Sequence, residues 1–349
     1  MGSGTTGAVR VGLAGLGRFG KLHAAVLAAL PGVELAAVCD PDRSEVAAVA
    51  TRFGVPGRYP GLEEMLAGEA LDACFLVTPE PLHAAQAVTV LERGVALFVE
   101  KPLATTAAEG EAVLAAADRS GVPFQVGFLL RYETQHALLK AEIAGGRFGP
   151  LVSLRAKRNV SRAWFPAYGD RVHPVFETSI HDIDLLLWLA ASPCTAAYAV
   201  ERNHTGHTYP DACWALLQFA SGAVGIVETS WFVPAGAPVN VVTPEWHGTI
   251  DSELEIVGAD RSGRMRLLDG GLAIWRPDLV AHPETALWPE AGGSIGGALR
   301  EQDRHLIDRV RGTAAIASVA SATDALAGLR VAEAIVESAR SGAEVRLAG

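Results

Sequence analysis

The chain has 349 residues, a formal net charge of -10 and a hydrophobic content of 50%. That length predicts two domains, each large enough to form its own core. The acidic balance argues against nucleic acid or an anionic membrane surface as a partner, because a phosphate-rich surface requires a basic face. Apolar runs stay shorter than the roughly 18 residues that a membrane span needs, so we expect a cytoplasmic protein.

The four cysteines are Cys39, Cys74, Cys194 and Cys213. Three of them lie in apolar runs, and the four show neither a CxxC pair nor the spacing of metal ligands. This pattern predicts buried free thiols in a reducing compartment, and no metal site.

A glycine-rich segment, Gly15-Leu16-Gly17-Arg18-Phe19-Gly20, follows the apolar run Val9–Ala14 and precedes a helical pattern over 21–30. A second apolar run, Val33–Cys39, follows that helix. This order is typical of a dinucleotide-binding βαβ unit, in which glycines permit a tight turn and a close approach of the pyrophosphate. The helix N-terminus adds N–H groups and a positive dipole. We expect all six residues of the segment to contact NAD.

The residue that follows the second apolar run, Asp40, bears on the choice of cofactor. Asp40 lies twenty residues after the last glycine of the motif. An acid at that place accepts hydrogen bonds from both hydroxyls of the adenosine ribose and repels a 2′-phosphate. We therefore expect NAD in preference to NADP. Arg43 is close enough in sequence to contact the cofactor and to weaken that preference.

The alternation of strand and helix patterns continues to about residue 125. Three more apolar runs predict strands, the last being the sixth of the sheet: Ala70–Val77, Val95–Val99 and Phe124–Phe128. Two helical patterns lie between them: Leu82–Arg93 and Ala107–Arg119. We therefore predict a doubly wound, parallel Rossmann domain over residues 8–125, which binds ligands outside the carboxyl ends of its strands.

The pattern changes over residues 126–349. Alternating runs predict antiparallel strands with one solvated face: Val152–Arg158, Ala212–Ala220, Ala223–Trp231 and Leu254–Val257. Helical patterns cover Gln135–Ala144 and Ala325–Arg340, and we expect the last helix to pack back near the first domain. The prediction is an α+β domain with a large open, mainly antiparallel sheet. Such a sheet usually buries its uncovered face against another subunit, so we expect a homodimer or homotetramer.

The motif Glu100-Lys101-Pro102 stands at the carboxyl end of the Val95–Val99 run. A lysine there lies where ligands bind, and its ammonium can hold a substrate hydroxyl and favour the alkoxide-like form. Glu100 is then its charge partner or a cofactor contact. The alternative is a strand-end charge pair that only solvates a turn.

A second chemical motif lies in a predicted helix, Phe176–Leu189. Glu177 and His181 are four residues apart and so share one helix face. A carboxylate beside an imidazole orients the ring and raises its basicity, which suits a general base near neutral pH. Asp184 is three residues further on and can reach the same side, and helix geometry alone does not decide which of Glu177, Asp182 and Asp184 faces the cofactor. A packing histidine with a solvated ion pair explains the pattern equally well.

Two further segments are candidates for ligand contacts. Thr78 and Pro79 follow a predicted strand and would lie beside the adenosine half of a dinucleotide. His83, on the next helix, is either a cofactor contact or a buried packing residue. Asn159 precedes an aromatic loop that contains Trp164, and amide and aromatic groups suit a neutral polyhydroxylated ligand. A hinge loop packed on the sheet is the alternative.

Taken together, these motifs resemble the glucose–fructose oxidoreductase / inositol dehydrogenase (Gfo/Idh/MocA) family. The matching pieces, in chain order, are the glycine segment, Cys39-Asp40-Pro41-Asp42, Thr78-Pro79, Glu100-Lys101-Pro102, Gly127-Phe128 with Arg131-Tyr132, and His181-Asp182-Ile183-Asp184. Within the family, the segment from Glu177 onward is most similar to inositol 2-dehydrogenases, which place an aspartate at position 177.

The resemblance implies a Rossmann domain followed by an open-sheet α/β domain, with Lys101 and His181 on either side of the nicotinamide. It implies catalytic roles for Lys101, His181 and Glu177. Its implied substrate-binding residues are Lys101, Arg131, Asn159, Trp164, Glu177, Thr178 and His181, and its cofactor contacts include Thr78, Pro79, His83, Glu100 and Lys101.

The resulting prediction is an NAD-dependent oxidoreductase that transfers a hydride between nicotinamide and a ring carbon of a cyclitol or sugar. One alternative is a ketoreductase of a modified or nucleotide-linked sugar, and another is an NAD-dependent glycosidase of the same family. A non-catalytic NAD sensor ranks lower, because it would not need Lys101 and His181 together.

Overall fold

The computed structural model describes residues 7–243, 247–267, 271–278, 280–314 and 320–347. It divides into two compact units. The first unit holds the described residues up to Tyr132 and those of Ala286–Leu326, and the second holds Glu133–Thr285 and the chain from Ala327 onward. The sequence analysis placed the boundary at residue 125 and expected only the last helix to return to the first domain. The segment that returns begins earlier, at Ala286, and includes only the first residues of that helix.

The first unit is built on a six-stranded parallel sheet in the order β3-β2-β1-β4-β5-β6. Its strands are β1 (Val9–Ala14), β2 (Val33–Cys39), β3 (Gly57–Tyr59), β4 (Ala73–Leu76), β5 (Ala96–Val99) and β6 (Phe124–Val126). Every residue of β4 and β5 is buried, as expected where helices cover both faces of a parallel sheet. The strand order reverses between β1 and β4, so the crevice for a ligand lies at their carboxyl ends.

Five helices follow the first five strands: α1 (Arg18–Ala29), α2 (Arg43–Phe53), α3 (Leu62–Gly68), α4 (His83–Glu92) and α5 (Ala107–Ser120). Their ends follow local chemistry. The Asp42 side chain caps α2, and Thr106 and Glu109 form a capping box on α5. The predicted Rossmann fold is confirmed. The sequence analysis did not identify α2, β3 or α3. The strand β3 has only three residues, which are too few to display an alternation.

The second unit begins with α6 (Thr134–Ala144) and β7 (Leu151–Ser161). A 3-10 segment (Arg162–Ala167) and a π-helical turn (Val175–Ser179) precede α7 (Ile180–Ala190). The strands that follow are β8 (Cys194–Arg202), β9 (Ala212–Phe219), β10 (Val224–Val233), β11 (Val241–Val242), β12 (His247–Gly248), β13 (Ile250–Gly258), β14 (Ser262–Arg266), β15 (Ile274–Trp275) and β16 (Val280–Ala281).

The segment that belongs to the first unit holds β17 (Glu290–Ala291), β18 (Ser294–Ile295) and α8 (Gly297–Val310). The sequence analysis did not identify α8, because Gln302 and Asp303 are polar residues at core positions and interrupt its apolar pattern. The chain ends in the predicted long helix, α9 (Ala322–Ser341), and a short strand, β19 (Val345–Arg346).

The main sheet of the second unit has seven strands in the order β14-β13-β7-β10-β9-β8-β19. It is mainly antiparallel, as predicted, but β7 and β10 are parallel. Each of these two strands is antiparallel to its other neighbour, β7 to β13 and β10 to β9. A hairpin makes β10 antiparallel to β9, and the intervening α7, β8 and β9 bring β10 back beside β7 in the same direction.

The four cysteines are buried and free, as predicted. Burial raises the pKa of each thiol, to about 12 at Cys39, which keeps the thiols protonated and unreactive. Across the described part of the chain, helices fall short of the length and apolar character needed to cross a membrane.

Candidate active site

The glycine-rich turn joins β1 to α1 at the sheet crevice. Gly15 has a φ of 89°, and a Cβ there would clash with the carbonyl of Val77, just after β4. A Cβ at Gly20 would clash with the carbonyl oxygen of Gly15. Gly17 differs, because a Cβ at this residue would meet no described atom within 4 Å. Two glycines are therefore required by the turn itself, whereas Gly17 leaves open space of the kind that a pyrophosphate would use.

The residues between these glycines contribute in different ways. The side chain of Leu16 is buried, and its backbone N–H donates to Asp40 Oδ2 at 2.8 Å. Arg18 is exposed at the start of α1, and among the described residues no side chain caps that helix, whose N-cap is Gly17. The ring of Phe19 packs edge-on against Trp288 at 5.4 Å. The uncapped N-terminus of a 12-residue helix is well suited to phosphate.

Asp40 lies at the carboxyl end of β2 with its carboxylate held by two backbone groups. Besides the Leu16 N–H, it accepts the N–H of Asp42 at 2.9 Å. A carboxylate offers about four lone pairs, so acceptor capacity remains for ribose hydroxyls. Arg43 is exposed as the first residue of α2. Together with Gly17 and the α1 N-terminus, these groups fit a dinucleotide.

The turn after β4 is tied to the turn after β5 by His83. Its Nδ1 lies 2.7 Å from the carbonyl of Pro102, and its Nε2 lies 2.7 Å from the carbonyl of Thr78. Thr78 Oγ1 donates to Gln86 Oε1 at 2.6 Å, while Pro79 is exposed. His83 is buried, which favours the packing alternative. A direct cofactor contact by His83 stays a prediction that this burial does not support.

The Glu100-Lys101-Pro102 turn follows β5 directly. Glu100 is buried, so the alternative of a solvated charge pair does not apply to it. Its Oε2 accepts the backbone N–H of Lys101 at 3.0 Å. Lys101 itself is partly exposed. A buried carboxylate thus holds the backbone from which the lysine side chain extends.

The helix that carries His181 begins differently from the prediction. A continuous α-helix over 176–189 was expected, but Val175–Ser179 forms a π-helical turn and α7 starts at Ile180. The wider winding of a π turn means that residues four apart across this junction no longer stack as in an α-helix. Glu177 Oε2 accepts a hydrogen bond from Thr178 Oγ1 at 2.7 Å. Such π turns occur frequently at functional sites.

Asp182 is committed to a structural ion pair. Arg158 on β7 donates to it through Nε at 3.0 Å and Nη2 at 2.9 Å, and both side chains are buried. A carboxylate held in this way is not available to orient His181. Asp184, the other alternative, is also buried.

The remaining predicted substrate contacts have partners within their own units. Asn159 donates to Glu228 Oε1 at 3.1 Å and accepts from Ser230 Oγ at 2.8 Å, on the sheet face opposite to that of Arg158. Trp164 is buried and donates to the carbonyl of His247 at 3.0 Å. These substrate contacts stay predictions, and the observed bonds favour packing roles.

Arg131, another predicted substrate contact, is buried in the first unit. Its Nη1 lies 3.4 Å from Asp324 Oδ2, in the first turn of α9. The neighbouring Tyr132 packs its ring against His305 of α8, with ring centroids 5.6 Å apart. Substrate binding by Arg131 therefore also stays a prediction.

Sequence reasoning missed two residues beside the lysine turn, His23 and Asp303. His23 Nδ1 lies 2.9 Å from Asp303 Oδ2, and its Nε2 lies 3.3 Å from Glu100 Oε1. Burial by itself lowers the pKa of His23, but the two carboxylates outweigh it and raise that pKa to about 9. The one local signal was the position of His23, three residues after the last glycine of the motif. Asp303 gave none, because it lies 280 residues away.

Comparison with known proteins agrees with this geometry. The model of the oxidoreductase family with an NAD-binding Rossmann fold, GFO/IDH/MocA, matches residues 9–128, and the model of the family's C-terminal domain matches residues 136–264. These matches cover more than half of the chain, which therefore belongs to the Gfo/Idh/MocA family of oxidoreductases. The resemblance seen in the sequence motifs is confirmed, and its first domain is an NAD-binding domain.

The relatives include proteins named for inositol oxidation. A scyllo-inositol 2-dehydrogenase (NAD(+)) of Bacillus subtilis is 30% identical over 249 residues, 69% of this chain and 73% of that protein. An inositol 2-dehydrogenase of Rubrobacter xylanophilus is 29% identical over 351 residues, which cover 96% of this chain and 92% of that protein. The structure of a scyllo-inositol dehydrogenase from Lactobacillus casei with NAD(H) and scyllo-inositol has a TM-score of 0.81 and 20% identity, covering 97% of this chain and 99% of that one. The last comparison shows a shared fold.

Proposed function

We propose that this protein is an NAD-dependent dehydrogenase that oxidises a ring CH–OH group of a cyclitol or sugar. The observation that carries the proposal is the placement of Lys101 at the carboxyl end of β5, on a turn held by a buried carboxylate, in a chain of this oxidoreductase family. The names of its inositol-oxidising relatives favour a cyclitol as the substrate class.

NAD supplies a hydride acceptor when it is bound. The chain's own residues would bind it through the Gly17 opening, the uncapped first turn of α1 and the carboxylate of Asp40. Thr78 and Pro79, at the end of β4, would contact its adenosine half. These groups orient the cofactor and leave the proton chemistry to other side chains.

The hydroxyl proton must leave as the hydride departs. We assign Lys101 to hold the reacting hydroxyl, since an ammonium group stabilises the alkoxide-like form. His181 is assigned as the general acid/base, and Glu177 as the carboxylate that orients it and raises its basicity. The Thr178 hydroxyl, which donates to Glu177, would fix that carboxylate.

We also propose that the enzyme acts in the cytoplasm as a homodimer or homotetramer. Four free, buried thiols suit a reducing compartment. Assembly is supported by the apolar side chains exposed on the main sheet of the second unit.

The decisive test follows NAD reduction spectrophotometrically with inositols, aldoses and their derivatives. We expect NADH from at least one cyclitol or sugar. Lys101→Ala and His181→Ala should each reduce kcat on the order of a hundredfold or more, the scale of a lost acid–base group, while NAD still binds. Glu177→Gln should lose less activity and shift the alkaline arm of the pH–rate profile, because the carboxylate raises the pKa of the imidazole.

Lys157→Ala is the matched control, because that lysine pairs with Asp251 on the sheet of the second unit. It should keep wild-type turnover. Cleavage of a glycoside without net NADH would indicate a glycosidase instead. Near-normal turnover of His181→Ala would remove histidine from the mechanism.

A further inference from the structure

Three ionisable side chains of the first unit meet behind the Lys101 turn. His23 comes from α1, Glu100 follows β5 and Asp303 comes from α8. His23 and Asp303 have no exposed surface, and Glu100 is 5% exposed. Buried charges are costly unless they are paired and hydrogen-bonded, so these three side chains must satisfy one another.

His23 lies between the two carboxylates. Its Nδ1 faces Asp303 Oδ2 at 2.9 Å and its Nε2 faces Glu100 Oε1 at 3.3 Å. Ionised carboxylates only accept hydrogen bonds, so the imidazolium, with two N–H groups, satisfies both. Phe75 and Phe98 enclose the ring at centroid distances of 6.0 and 5.2 Å, which keeps these bonds in an apolar environment.

Glu100 connects this pair to the active-site lysine. One carboxylate oxygen faces His23, and the other accepts the backbone N–H of Lys101 at 3.0 Å. Gly127 lies against the same carboxylate, since a Cβ at that glycine would lie 2.7 Å from Glu100 Oε1 and 3.0 Å from its Oε2. The carboxylate is thus held by His23 at one oxygen and by the Lys101 N–H at the other, and the absence of a side chain at Gly127 leaves room for it.

We propose that His23, charged and held by Asp303, is a positioning residue for Lys101. It fixes the carboxylate of Glu100 and, through it, the backbone from which the catalytic lysine extends. The inference rests on the proposed function, because it takes Lys101 to be the residue that holds the reacting hydroxyl. A histidine that served stability alone would not need a connection to that backbone.

Two amide substitutions at one position separate the two contacts of the imidazole. In His23→Asn the amide nitrogen can replace Nδ1, which keeps the bond to Asp303 and removes the bond to Glu100. In His23→Gln it can replace Nε2, which keeps the bond to Glu100. We expect His23→Asn to lower kcat on the order of tenfold with little change in KM or in NAD affinity, and His23→Gln to keep most of the turnover.

A second readout does not depend on turnover. The chain has only four lysines, Lys21, Lys101, Lys140 and Lys157, so reductive methylation with labelled formaldehyde gives few NMR signals. Loss of the Lys101 signal in Lys101→Arg assigns it. In the apo protein we expect His23→Asn to shift this signal and its titration, and His23→Gln to leave both near wild type. Lys140 and Lys157, in the second unit, serve as internal references.

Equal losses of Tm in both variants, with kcat and the Lys101 signal unchanged, would overturn the proposal and leave His23 a purely structural residue. If neither variant folds, Gly127→Ala displaces Glu100 by direct contact with its carboxylate, and an unaltered Lys101 signal in that variant would equally overturn the proposal. A wild-type protein that oxidises no polyol, but whose Lys101 signal responds to His23→Asn as expected, would refute the proposed function and not the positioning role.

Discussion

At the residue scale, we propose that the carboxylate of Asp40 determines which dinucleotide the crevice accepts. Asp40 is held by the N–H groups of Leu16 and Asp42, so its charge stays at the carboxyl end of β2. A 2′-phosphate at the ribose would meet that charge. We expect the wild-type protein to bind NAD more tightly than NADP, and Asp40→Ser to narrow the difference, as measured by fluorescence titration of both cofactors.

Arg43→Ala is the matched variant for this prediction. It removes an exposed positive charge from the start of α2 and should widen the preference for NAD. Tighter binding of NADP by the wild-type protein would contradict the role given to Asp40.

The buried histidine makes the stability of the protein depend on pH. The pKa of His23 is raised from 6.5 to about 9 in the folded state, against the effect of burial, by Asp303 and Glu100. The folded chain therefore binds this proton more tightly than the unfolded chain. Its contribution is complete below pH 6.5 and is lost as pH rises through about 9, a difference on the order of 3 kcal/mol.

We expect the free energy of unfolding of the wild type to fall between about pH 6.5 and pH 9. His23→Gln has no group that titrates in this range at position 23, so its free energy should change less. Denaturant unfolding at both pH values measures the difference between the two proteins. Equal slopes against pH in the two proteins would mean that His23 is not charged in the fold.

At the scale of secondary-structure elements, a buried ion pair fixes α7 on β7. Arg158 and Asp182 are both buried and joined by two hydrogen bonds. Removing one partner leaves the other charge buried and unpaired, which costs about 3–5 kcal/mol. We expect Asp182→Asn to destabilise the second unit by this amount in denaturant unfolding and to reduce activity, because α7 carries His181.

The double variant Arg158→Met with Asp182→Leu is the control for this prediction. It removes both charges and keeps apolar volume, so it should recover most of the lost stability. A loss below about 1 kcal/mol in Asp182→Asn alone would show that the pair contributes no more than a surface salt bridge.

At the scale of the whole molecule, the main sheet of the second unit exposes large apolar side chains on one face. Between 36% and 44% of each is exposed: Tyr198, Trp214, Leu216 and Ile226. Leu216 lies opposite Tyr198 on β8 and Ile226 on β10, so these side chains form one patch. A contiguous apolar patch on a sheet is suited to a symmetric interface with a second copy of the chain.

We expect light scattering at micromolar concentration to give the mass of a dimer or tetramer. Leu216→Arg, at the centre of the patch, should shift it to the monomer. Leu138→Arg is the control, because Leu138 is 62% exposed on α6 and is not part of the patch. A monomeric wild type would contradict assembly through this face.

What the sequence alone determined is the part of the protein that local chemistry dictates. The glycine turn, the ends of β1 and β2, Asp40 and the Glu100-Lys101-Pro102 turn were all predicted. Each depends on residues close in sequence, through the alternation of strands, the winding of helices and the φ values that only glycine adopts easily. The fold class followed from the order of these elements.

Only the tertiary structure decided how distant polar residues pair. His23 meets Asp303 across 280 positions, Asn159 meets Glu228 across 69, and Arg158 reaches Asp182 across 24. The parallel pairing of β7 with β10 and the return of α8 to the first unit also depend on contacts between residues that are far apart in the sequence. A polar residue at a core position weakens the apolar pattern of its own element. Its partner is selected by the need to satisfy a buried charge, and the periodicity of the local sequence contains no information about that partner.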